Sequence, residues 1–149
     1  MSTEEDEALI ELLPRLGGIE FAITSQDDTT YNCVAWALHD TRRFWWPIDQ
    51  SGYYWPPDAP RELTLESFVT MFEMQGFTVC GDGNHESGTE KVAIFASRTG
   101  PEHVARQLPN GQWTSKIGNL HDIRHATLEG LEGRRYGEVT IYMSKVVQS

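Results

Sequence analysis

The hydrophobic positions of this chain follow two regimes. Up to Gly76 they recur at helical spacing or gather in one aromatic segment, and from Phe77 onward they come in short strand-like runs separated by turns. Residues 63–76 put Leu65, Phe68, Val69 and Phe72 on one helical face, with Gly76 as the C-terminal stop. Residues 8–13 predict a short helix that Pro14 ends, and the acidic residues before it, 1–8, read as frayed. Thr29, Thr30 and Asn32 are all suitable N-caps, so a further helix starts within a residue or two of Cys33 and is finished by about Asp40. Residues 19–24 form a short strand or an extended lead-in to it.

Strands are predicted at 77–80, 92–96, 103–108, 112–116 and 138–143, and a short helix at 119–131 that ends near Gly133. The turn Pro109-Asn110-Gly111 suits a type I turn followed by a left-handed glycine, which makes a bulge and fixes the register. Leu108 then faces Gln112, Ala105 faces Ser115, and Ser115 shares a sheet face with His103. The expectation is a single α+β domain over 1–149, its helices packed on an antiparallel sheet. Over residues 42–57 the prolines and Trp45, Trp46 and Trp55 predict a loop whose rings are either buried in the core or form an aromatic wall beside a cleft.

Charge narrows the partners. Twelve Lys and Arg against 22 Asp and Glu give a net charge of −10, which disfavours nucleic acid and anionic membrane surfaces. No apolar run is long enough to cross a bilayer and no signal peptide pattern precedes the two cysteines, so a reducing, cytoplasmic setting is expected.

Cys33 and His103 carry the candidate chemistry. A thiol in the first turn of a helix is turned toward the thiolate by unpaired N–H groups and the helix dipole, although Cys33 also reads as a small core hydrophobe. Cys80 reads as core. A rival reading is a metal site of Cys33, His103, His121 and His125, the last two sharing a helical face, with Asp122 assisting. Tyr31-Asn32-Cys33 and the segment from Glu102 to Gly111 resemble the nucleophile entry and His-bearing hairpin of papain-like cysteine hydrolases, in particular the NlpC/P60 and amidase branch. The set Tyr31-Asn32-Cys33-Val34-Ala35-Trp36-Ala37, His103-Val104-Ala105-Arg106 and Trp113-Thr114-Ser115-Lys116-Ile117-Gly118 is also similar to an uncharacterised bacterial domain family.

That resemblance implies a papain-like core in which Cys33 is the nucleophile and His103 its base, with no cofactor. Ser115 stands where the branch carries a His, Asn or Gln to orient the imidazole, and Asn119 or Asp122 are the alternatives for that role. Gln26 stands one residue too far from Cys33 to match the oxyanion-hole Gln, so the Cys33 backbone N–H is the substitute donor. Gln26, Asn32, Trp45, Trp46 and Trp55 are the expected substrate contacts. Two functions follow as expectations: a thiol hydrolase or acyltransferase acting on a peptide, amide, ester or thioester, or a non-enzymatic immunity or effector-associated domain that docks a basic protein partner.

Overall fold

The computed structural model describes residues 4–147. In chain order its helices are α1 (Glu4–Leu12), α2 (Cys33–Ala37) and α3 (Leu65–Met74), and its strands are β1 (Phe21–Ile23), β2 (Phe44–Trp45), β3 (Tyr53–Tyr54), β4 (Thr78–Cys80), β5 (Thr89–Ser97), β6 (Gly100–Gln107), β7 (Trp113–Lys116), β8 (Asp122–His125) and β9 (Glu138–Val146). Thr64 caps α3 through Ser67 N–H at 3.1 Å, and Gly76 leaves it with φ 97°. Asn32 caps α2, its Oδ1 accepting the Ala35 N–H at 3.1 Å. The acidic stretch predicted to fray is helical from Glu4 on, and residues 1–3 lie outside the described residues.

Seven strands form one antiparallel sheet in the order β1-β8-β7-β6-β5-β9-β4, while β2 and β3 pair in parallel as a separate ribbon. The architecture is therefore α+β with an antiparallel sheet. Alternation along β5 sends Val92 and Ile94 to one face and Ala93 and Phe95 to the other. The first face packs on α2, α3 and the aromatic segment through Val34, Phe68 and Phe72. The second packs on α1 and the turn after it through Leu9 and Leu16.

Two expectations need correction. Residues 119–131 are not a helix: Asp122–His125 is strand β8, paired with both β7 and β1, and only a 3-10 turn at Glu129–Leu131 follows. Cys80 is not core. It lies half-buried on the edge strand β4, beside an exposed Val79.

Candidate active site

The β6–β7 hairpin has the register expected from its turn. Gly111 takes φ 90°, Leu108 N–H donates to Gln112 O at 2.7 Å, and the ladder runs through Gln107↔Trp113 and Arg106↔Thr114. There the recorded pairing of the two strands stops. Amide direction repeats every second residue in an antiparallel strand, so the Val104 N–H, like that of Leu108, points to the β7 side. Cys33 meets it there: the backbone N–H groups of Val104, Val34 and Cys33 itself all lie close enough to the sulfur to favour its thiolate.

Burial outweighs them. Cys33 is 9% exposed, and loss of water pushes its thiol up to about 11. The expectation of a thiol activated by its helix fails because α2 has only five residues and so little dipole, while the core around Cys33 excludes solvent.

His103 and Ser115 share the opposite face, as the register requires. His103 Nε2 lies 3.0 Å from Ser115 Oγ, which lies 2.9 Å from His125 Nε2, and His125 Nδ1 lies 2.9 Å from the Thr127 carbonyl. A carbonyl only accepts, so His125 carries its proton on Nδ1. Burial holds both rings well below the ordinary 6.5, His103 at about 3 with help from His125, and His125 at about 4. The neutral His125 Nε2 then accepts from the Ser115 hydroxyl, and Ser115 Oγ accepts from His103 Nε2–H. This polarity leaves the proton-free lone pair of His103 on Nδ1. The ring is clamped flat by Tyr136, stacked at 4.2 Å and 10°, and edge-on by Phe95 at 5.3 Å. Tyr136 also lies within electrostatic reach of Cys33. Among the described residues no hydrogen bond joins the Cys33 thiol to the His103 ring.

The remaining candidates divide. Of the three groups considered for orienting His103, Ser115 touches it; Asn119 is exposed in the β7–β8 turn, and Asp122 points to the α2 face, where its Oδ2 accepts from Tyr31 O–H at 2.6 Å. His125, considered earlier only as a metal ligand, completes the chain behind Ser115. Its signal is the strand periodicity that puts Trp113 and Ser115 on one face with His125 opposite Trp113, which a helical reading of residues 119–131 conceals. His121 sits apart, donating from Nδ1 to Ser25 O and lying 3.5 Å from Glu5, and no group of three or more metal-ligating side chains occurs among the described residues.

Gln26 is exposed and lines a cavity of about 490 Å³ that Cys33 does not line. Asn32 holds the aromatic segment rather than an open pocket, donating to Trp45 O at 2.8 Å and accepting from Trp45 N–H at 3.1 Å. Trp45 and Trp55 are buried, and Trp46 and Trp55 pack on Phe68 at 5.4 and 5.3 Å. The three rings lie on the Cys33 side of the sheet as core, not as an open cleft wall.

The class so defined is an α+β domain in which a helix-start cysteine abuts a strand whose histidine is wired through a serine to a second histidine. The chain belongs to the family described as a domain of unknown function, DUF7689, which matches residues 22–144 and so takes in this whole constellation. Comparison with curated proteins and with solved structures finds no match to either. Among the described residues no helix is long and apolar enough to cross a membrane.

Proposed function

We propose that this domain is a papain-like thiol acyl-transfer enzyme, with Cys33 as nucleophile and His103 as base. The observation that carries the reading is the polarity of the Thr127–His125–Ser115–His103 chain, which leaves Nδ1 as the proton-free nitrogen of a fixed neutral imidazole one residue before the amide that faces the thiol. On this reading thiol and imidazole both start neutral, and turnover requires the sulfur and Nδ1, which start on opposite faces of β6 without a hydrogen bond between them, to come within reach so that the proton passes from sulfur to Nδ1 as the sulfur attacks the carbonyl carbon. The oxyanion forms beside the backbone N–H groups at the start of α2, Nδ1–H returns its proton to the departing amine, alcohol or thiol, and water or a second nucleophile releases the acyl group. The narrow access to Cys33 favours a small or extended acyl donor, such as a peptide end, amide or thioester, over a folded protein face.

The same enclosure favours a second reading, a papain-like shell without turnover that docks a basic partner through its acidic surface. An activated acetyl ester separates the two. On the first reading, mass spectrometry finds the acetyl group on Cys33 and finds none after Cys33→Ala or His103→Ala; acetylation of Cys80 alone, or none in the native protein, sinks it.

A further inference from the structure

Beside the loop that carries Tyr136 the surface has a cleft of unlike charge to the rest of the molecule. The two-residue turn between Ser97 and Gly100 lifts Arg98 and Thr99 to the tip of the β5–β6 hairpin. Beside it Gly133 and Gly137 exchange two backbone hydrogen bonds, of 3.0 and 2.8 Å, and close a short loop over Arg134, Arg135 and Tyr136. That loop is fixed to the end of β5, because Gly137 takes φ 73° and lies so close that a Cβ would sit 2.1 Å from Ala96 O. Together with Arg15 these elements border an open surface cleft of about 1070 Å³ whose polar lining includes Arg15, Ser97, Arg98, Thr99, Arg134 and Glu138.

Three of the twelve basic residues of a chain with net charge −10 thus face one cavity, against a single lining carboxylate. Arg15 reaches Glu132 only at 4.0 Å, and Arg98 and Arg134 make no hydrogen bond or ion pair among the described residues. The Ser97 and Thr99 hydroxyls beside them are already engaged by Glu102 Oε1, at 3.3 and 3.2 Å, so the recognition falls to the guanidinium forks, which are suited to bidentate capture of an oxyanion. We propose that this cleft binds the carboxylate or phosphate group of a small anionic ligand, held by Arg98 and Arg134. The loop that supplies Arg134 also lays Tyr136 on His103. On the thiol reading above, which this extension rests on, the ligand is the acyl donor and the cleft selects donors with an anionic end.

The test is an NMR titration of the whole chain with inorganic phosphate and, separately, succinate. Saturable shifts at the amides of Arg98, Thr99, Arg134 and Gly137 are expected with at least one anion. Affinity should fall at least about tenfold in the Arg98→Ala, Arg134→Ala double variant, and less in Arg98→Lys, which keeps charge but loses the fork. Arg42→Ala, which removes an exposed arginine outside the cleft, should leave it unchanged. A response to phosphate alone identifies a phosphoryl group and one to succinate alone a carboxylate. Shifts with neither anion, shifts that do not saturate, or an affinity unmoved by the double variant overturn the proposal. Binding is read without turnover: retained binding with no acylation of Cys33 removes the thiol reading alone, and acylation without binding removes the cleft alone.

Discussion

His103 and His125 are neutral in the fold because burial holds them at about 3 and about 4, yet both would titrate near 6.5 in the unfolded chain. Below that value the unfolded state takes up protons the native state refuses, so the stability these residues contribute is complete above about pH 6.5 and drains away as pH falls through about 4 for His125 and about 3 for His103. Thermal melts should therefore drop steeply over that window, and His125→Gln should flatten the acid limb; an unchanged limb would mean the rings are not buried neutral. Ser115→Ala should cost about 1–3 kcal/mol in urea unfolding, because two buried ring nitrogens lose their shared partner. For Cys33 the sign is reversed: its thiol is raised to about 11, so alkylation of the native protein should be slow at neutral pH and climb through pH 11, where a helix-activated thiol would already be at its plateau.

Among the elements, α2 owes its existence to Asn32, whose one side chain caps the helix and pins both the N–H and the carbonyl of Trp45. Asn32→Ala should lower unfolding free energy by roughly 2–4 kcal/mol, beyond the cost of a cap alone, and should blue- or red-shift the tryptophan emission as the aromatic segment loosens. This cap was legible in the sequence, as were the α3 face and the bulged turn that brings Ser115 to His103, since each depends on neighbours close in the chain. β8 was not. Within it Ile123 is the one apolar residue, and the buried positions beside it are polar groups partnered from other elements, Asp122 through its Oδ2 by Tyr31 and His125 by Ser115. A hydropathy pattern cannot register a buried residue whose partner lies ninety positions away. The enclosure of Cys33 was hidden for the same reason: the thiol lies in a core built from residues distant in the chain, with Val104 against the sulfur, which the order of residues around Cys33 does not name.

At the scale of the molecule, one sheet separates two cores that share no side chains, while β5, β6 and β9 each send residues into both. Phe72→Ala on one face and Leu16→Ala on the other should each cost about 3–5 kcal/mol and shift a single common transition in calorimetry. Two resolved transitions, only one moved by each change, would show that the faces melt independently. The sheet order carries a further consequence for how the protein is made. β9 lies between β5 and β4, pairing Val92 with Met143 and Thr78 with Ser144. A nascent chain emerging from the ribosome must hold β4 without a neighbour and one edge of β5 bare until residues 138–146 have been synthesised, and such unpaired edges invite pairing with other chains. Production of this domain is thus most vulnerable during translation itself, and a chaperone that shields strand edges should raise its soluble yield far more than it alters the stability of the finished fold.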